Sequence, residues 1–165
     1  MQKKFLSKTS NRIKKKKVIV GGTFEILHRG HKALLKRAFK LGQTTIGLTS
    51  DTFARKLKKR KVNDFKQRKE VLTDFIKEGF KVLPKIIRIE DKFGPTLKRN
   101  FDYIVVSPET YKTALLINKK RRRVGKEPIK VVKIRFVLGE DGRPISSTTK
   151  LKKPREMLVK QNKRR

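Results

Sequence analysis

Both histidines of this 165-residue chain, His28 and His31, fall within one short stretch, Gly21-Gly22-Thr23-Phe24-Glu25-Ile26-Leu27-His28-Arg29-Gly30-His31. Two imidazoles three positions apart, flanking a glycine, project near the same place, and the glycines ahead of them let backbone approach a ligand closely. The free N–H groups and dipole of a helix start attract an anion, so the chemistry this turn suits is the gripping of phosphate. An isolated H-x-x-H is more often two surface histidines than a metal site, but here the chain spends both of its histidines on one turn. No third nearby ligand for zinc is evident. The absence of cysteine excludes disulfides, thiolate catalysis and iron–sulfur clusters.

Such a turn needs a strand behind it and a helix ahead. Val18-Ile19-Val20 is a β-branched run suited to a buried strand, and Ala33, Leu34, Leu35, Ala38, Phe39 and Leu41 recur at helical spacing up to a stop at Gly42. Residues 44–48 read as the next strand, and Val71, Leu72, Phe75 and Ile76 mark a second helix ending at Gly79. Residues 82–89 form a third strand, interrupted by Pro84 and therefore suited to a sheet edge. Residues 103–106 are a fourth strand, Ala114 to Ile117 belong to a third helix, and residues 131–138 are a fifth strand. This alternation predicts an α/β fold with a sheet of about five mostly parallel strands and helices on both faces. Ligands of such sheets bind beyond the carboxyl ends of the strands, so residues after Val20, Leu48, Val106 and Leu138 are expected to meet the substrate.

Lys and Arg number 48 against 14 Asp and Glu, a formal net charge of +34. A small domain ordinarily carries about 2–8 charges of one sign, so the excess predicts polyanionic partners. The charge is segregated: residues 1–17, 55–61, 119–126 and 150–165 hold 28 of the 48 basic residues, leaving the remainder mildly basic. Residues 1–17 and 153–165 are expected to be basic tails around a single domain at 18–152, with non-specific RNA contact through those tails as one consequence. The start of the chain lacks the apolar core of a secretory signal, and no run approaches the ~18 apolar residues of a membrane span. A cytoplasmic location without a membrane partner is the expectation, and the oligomeric state is left open.

The stretch Gly21 to His31 resembles the G-x-F-D-x-x-H-x-G-H signature of the HIGH-motif nucleotidyltransferases, with Glu25 where Asp is commoner. Further segments are similar to the archaeal and related eukaryotic phosphopantetheine adenylyltransferases: Gly47-Leu48-Thr49-Ser50-Asp51, Asp91-Lys92-Phe93-Gly94-Pro95, Val105-Val106-Ser107-Pro108-Glu109-Thr110-Tyr111, Ile117-Asn118 with Arg121, and Pro144-Ile145-Ser146-Ser147-Thr148. The resemblance implies a Rossmann-like nucleotidyltransferase fold and adenylyl transfer from ATP to 4′-phosphopantetheine, with Mg²⁺.

It also implies roles. Gly21 and Gly22 host the nucleotide, His28 and His31 contact the ATP phosphates, and Thr23 positions both the α-phosphate and the acceptor phosphate. Ser146 belongs to the ATP site, and Ser147 and Thr148 hold the outer phosphates; Thr149 stands where the family usually has Arg, with Lys150 and Lys152 as the nearby cations. Lys56, in the basic loop 55–61, matches a family lysine on the acceptor phosphate. Arg68 and Asp91 resemble positions near the substrate, with a helix surface and a plain turn as their bland alternatives. Ser107 and Glu109 are expected beside the adenine, and Asn118 and Arg121, one turn apart on a helix, to reach the nucleotide. The alternatives are a relative acting on glycerol phosphate, flavin mononucleotide or nicotinamide mononucleotide, or a basic RNA-binding protein on the same fold. The acceptor is itself an anionic phosphate, so the chemistry requires no general base.

Overall fold

In a computed structural model, residues 15–139 and Gly142 are described. Five strands, β1 (Lys17–Gly22), β2 (Gln43–Thr49), β3 (Lys85–Ile89), β4 (Tyr103–Val106) and β5 (Lys130–Lys133), make one sheet in the order β3-β2-β1-β4-β5. Every pairing is parallel. The helices are α1 (Arg29–Leu41), α2 (Asp51–Lys58), α3 (Phe65–Phe80) and α4 (Tyr111–Arg123), with a 3-10 turn at Gly94–Leu97.

Alternation along β1 explains the layers, because successive side chains of a strand point to opposite faces. Val18 and Val20 join Leu34, Leu35 and Ala38 of α1 and Leu72 and Ile76 of α3 in one core. Ile19 joins Ile104, Val106, and Ala114 and Ile117 of α4 in the other. Both faces of the sheet are covered, as the run of apolar strands predicts.

The structure departs from the sequence reading in three places. The expected basic loop at 55–61 is helical as far as Lys58. Ser50 caps α2 by accepting from the Phe53 N–H at 3.2 Å, and the left-handed Lys59 (φ 53°) ends it. Lysine and arginine are good helix formers, and their charge conceals the apolar spacing of Phe53, Ala54 and Leu57. The third strand begins only at Lys85, after Pro84, and lies at the edge of the sheet. The fifth strand ends at Lys133, although the Ile134 N–H still donates to the Val106 carbonyl at 2.9 Å.

Candidate active site

β1 goes out to β2 and β3 on one side, while β4 and β5 lie on the other, so the topology reverses between β1 and β4. These two strands pair at Val18 with Tyr103 and at Ile19 with Ile104. Beyond that point β1 continues against β2 through Gly21 and Gly22, and β4 continues against β5 through Val105 and Val106. The result is a crevice at the carboxyl ends of the strands, with a cavity of about 400 Å³. That volume suits a nucleotide-sized ligand. Gly21, Gly22, Thr23, His28 and His31 wall it on one side, and Val106, Ser107, Pro108 and Glu109 on the other.

The histidine turn is built around Phe24, a left-handed residue (φ 47°) whose ring is buried. A non-glycine residue in this region is strained, and here burial of the ring holds it in place. The ring lies 4.9 Å from that of His31, and His31 stacks on His28 with centroids 3.9 Å apart. His28 is the N-cap of α1: its Nδ1 accepts from the Gly30 N–H at 3.1 Å. A neutral imidazole that accepts at Nδ1 carries its hydrogen on Nε2, so His28 offers an Nε2–H donor. The α1 amino terminus adds a dipole of the right sign.

Two ionic braces fix the turn from below. Arg68, on α3, is 1% exposed. Its guanidinium donates to the carbonyls of Thr23 (3.1 Å), Thr49 (2.8 Å) and Asn63 (2.7 Å), to the Thr49 hydroxyl (3.2 Å) and to the Asp51 carboxylate (3.0 Å). Arg68 is therefore on neither a helix surface nor the cavity wall; it ties the histidine turn to the end of β2. Thr49-Ser50-Asp51 supplies two partners for Arg68 and the cap of α2.

The second brace is Glu25, which makes a fork-to-fork pair with Arg60 at 3.0 and 2.6 Å and accepts from the Asn63 N–H at 3.4 Å. Burial pushes the Glu25 carboxyl up, but the Arg60 hydrogen bond and charge, the Asn63 N–H and the charge of Lys58 together hold it below its ordinary value. The Glu25 bond correspondingly raises Arg60. Sequence reasoning missed this pair because its members are 35 residues apart; the only signal was Glu at a position where Asp is commoner.

Several expected contacts fall elsewhere. Lys56 is exposed and outside the cavity wall, whereas Lys58 is half-buried and part of it, together with Phe53, Leu57 and Lys92. The helical turn of α2 explains the exchange, since residues two apart face different directions. Asn118 is buried, donating to the Ile129 carbonyl and accepting from its N–H, both at 2.8 Å. Arg121 is buried too, and binds the carbonyls of Thr96, Arg99 and Glu127 and the Asn100 side chain. Both secure loops beneath α4 rather than reach into the cavity. The Asp91 carboxylate accepts from the Phe93 and Gly94 N–H groups at 2.8 Å each, making the plain turn; its neighbour Lys92 lines the cavity. Ser107 and Glu109 are on the wall, and Ser107 also bonds the Thr110 hydroxyl at 3.2 Å. Ser146, Ser147, Thr148 and Lys150 lie outside the described residues, as do residues 1–14 and 153–165 of the expected tails.

Among the described residues no group of three His, Cys, Asp or Glu could hold a metal ion, and no helix is long and apolar enough to cross a membrane. Residues 19–153 match the cytidylyltransferase-like family. The chain is 48% identical over 134 residues to the phosphopantetheine adenylyltransferase of Archaeoglobus fulgidus, covering 80% of this chain and 90% of that protein. It is 45% identical over 139 residues to the enzyme of the same name from Methanosarcina acetivorans, covering 80% and 86%. A solved structure of a protein of unknown function from Archaeoglobus fulgidus superposes with a TM-score of 0.69 at 46% identity, covering 72% of this chain and 88% of that one. A lipopolysaccharide core biosynthesis protein from Thermoplasma volcanium superposes at 0.59 with 26% identity, covering 73% and 96%.

Proposed function

Because the chain belongs to the phosphopantetheine adenylyltransferases of the cytidylyltransferase-like family, we propose that the crevice between β1 and β4 is where it transfers adenylyl from ATP to 4′-phosphopantetheine, releasing pyrophosphate and giving dephospho-coenzyme A. The observation that carries this reading is the histidine turn at the switch point, with both imidazoles and the start of α1 on the cavity wall.

The acceptor phosphate oxygen attacks the α-phosphorus in line; the new P–O bond forms as the bond to the β-phosphate oxygen breaks, and pyrophosphate leaves with the negative charge. The acceptor is an anion at neutral pH, so no proton has to be removed from it. What the protein supplies is alignment, which is able to lower a barrier by ~7–11 kcal/mol, and donors aimed at developing charge, each worth ~10²–10³ in rate. His28, through Nε2–H, and His31 are the donors on the nucleotide phosphates. Thr23, held from behind by Arg68, stands between the α-phosphate and the acceptor phosphate. Gly21 and Gly22 give the nucleotide close access to backbone.

Lys58 and Lys92 line the cavity and are the cations this reading assigns to the acceptor phosphate, Lys58 in place of the Lys56 that the resemblance implied. Ser107 and Glu109 border the adenine, and the segment from Ser146 to Lys150 is assigned to the leaving phosphates by resemblance. The resemblance implies Mg²⁺ with the triphosphate, where it would supply counter-charge to the phosphates, and a cytoplasmic location is part of this reading.

The test is pyrophosphate release from ATP with a panel of acceptors: 4′-phosphopantetheine, glycerol 3-phosphate, flavin mononucleotide and nicotinamide mononucleotide. Turnover with 4′-phosphopantetheine alone is the expected result. Turnover only with one of the other three would replace the acceptor, and none at all would remove the enzyme reading.

A further inference from the structure

At the amino ends of the strands, opposite the cavity, cations gather in excess of the one carboxylate they contact, that of Asp102. α4 carries six basic residues and no acid in its 13 positions. Arg121 is buried and Lys120 lies over the Phe93 ring, but Lys119, Arg122 and Arg123 are exposed. The loop before β4 joins them: the Lys126 ammonium donates to the Lys98 carbonyl at 3.3 Å, and Arg121 reaches the Arg99 carbonyl at 3.1 Å. β1 begins beside them, because the Lys17 N–H donates to the Asp102 carboxylate at 2.7 Å and the Lys130 N–H to the Asp102 carbonyl at 3.1 Å. Five more basic residues precede Lys15 in the sequence. Among the described residues, no ion pair involves Lys98, Arg99, Lys119, Arg122 or Arg123.

Like charges three and four apart on a helix oppose folding, and the dipole at the carboxyl end of α4 offsets only part of this. A polyanion would relieve the rest. The cations are exposed and spread over one helix end and the neighbouring loop, which suits a repeating charge. The rings on this side, Phe93 and Tyr103, are partly buried and lie under Lys120 and Lys130, so they offer no bare platform for stacking bases.

We infer that this end of α4, with Lys98, Arg99 and the start of β1, is a docking surface for the phosphate backbone of a nucleic acid, sequence-blind and independent of the catalytic cavity. α4 separates the two sites: Thr113, Ala114 and Ile117 in its first two turns line the cavity, and Arg123 lies about 9 Å beyond Ile117 along the helix axis.

The test is fluorescence anisotropy of the full chain with labelled RNA and DNA duplexes of about 20 base pairs, at low and moderate salt, comparing two variants that each remove three positive charges. K119Q/R122Q/R123Q alters the proposed surface. K36Q/R37Q/K40Q alters exposed residues of α1 on the opposite face. The α4 variant is expected to bind at least about tenfold more weakly, with a salt slope shallower by roughly 2–3, and the α1 variant to change less than about threefold. Saturating ATP and 4′-phosphopantetheine should leave duplex binding unchanged, and the α4 variant should keep full adenylyl transfer. The RNA-to-DNA ratio identifies which backbone is preferred. Equal losses in both variants, displacement by ATP, or binding to anionic phospholipid vesicles with neither duplex bound would each overturn the assignment.

Discussion

A Cβ built on Gly22 would stand 2.8 Å from Cε2 of Phe24, too close against the ring that the histidine turn packs around. That ring is 1% exposed and cannot swing aside, so glycine at 22 and phenylalanine at 24 are a single packing solution. Gly21 differs. A Cβ there would meet only the Gly47 carbonyl oxygen and Ile89 Cδ1, both at 3.9 Å, which is ordinary contact. The protein leaves room for a methyl at 21, so packing does not require glycine there.

The two glycines should therefore fail in different assays. Gly22→Ala is expected to destabilise the fold by about 1–3 kcal/mol through overpacking against Phe24. Gly21→Ala should stay within about 0.5 kcal/mol of the parent and instead raise the KM for ATP. Urea unfolding and steady-state kinetics on both variants decide the matter; equal stability loss at 21 and 22 would return Gly21 to a packing role.

The stacked histidines should also separate. His28 caps α1 and His31 does not, so His28→Ala should lose about 0.5–2 kcal/mol of stability as well as turnover. His28→Asn, a good cap, should recover the stability without the turnover. His31→Ala should lower kcat by ~10²–10³ while the KM for ATP moves little. A His31 variant with unchanged kcat and a raised KM would contradict its transition-state role.

The sequence exposed the sheet and the site turn because both rest on local pattern: β-branched runs, helical spacing, and glycines beside the only histidines. What it concealed depends on contacts between distant residues. Asn118 and Arg121 look like ligand contacts on one helical face, yet that face meets Ile129 and the loop at 96–100, where buried carbonyls require donors. Arg68 is similar: a charged residue in a charged helix gives no sign that it will be buried among the carbonyls of Thr23 and Thr49. Polar residues shared by a family thus include those that hold the site's walls together, and only their position in three dimensions separates these from residues that touch substrate.

The choice between Lys56 and Lys58 is directly measurable. Lys58→Ala should raise the KM for 4′-phosphopantetheine by roughly 10–100-fold, the range for losing one charge-assisted bond, with the KM for ATP less affected. Lys56→Ala, an exposed residue off the wall, should change either value by less than about threefold. The reverse ranking would mean that α2 turns when the acceptor binds.

The Glu25–Arg60 brace should be visible in the acid limb of stability. The Glu25 carboxyl lies below its ordinary value of 4.5 in the folded chain, so near pH 4 the unfolded chain binds more protons than the folded one. The pair therefore stabilises fully above the unfolded value, and this contribution disappears as pH falls through the folded value. Asp102, lowered from 3.8 chiefly by the Lys17 N–H, adds a second and more exposed contribution of the same sign. Glu25→Gln should lower stability at pH 7 by about 1–2 kcal/mol, discounted because the Arg60 side chain is 30% exposed. It should also flatten the loss between pH 6 and pH 3, about the span in which a carboxylate titrates, while leaving the part due to Asp102. Urea midpoints across that range provide the measurement. An acid limb as steep in the variant as in the parent would show that the brace is not what the folded turn loses when it is protonated.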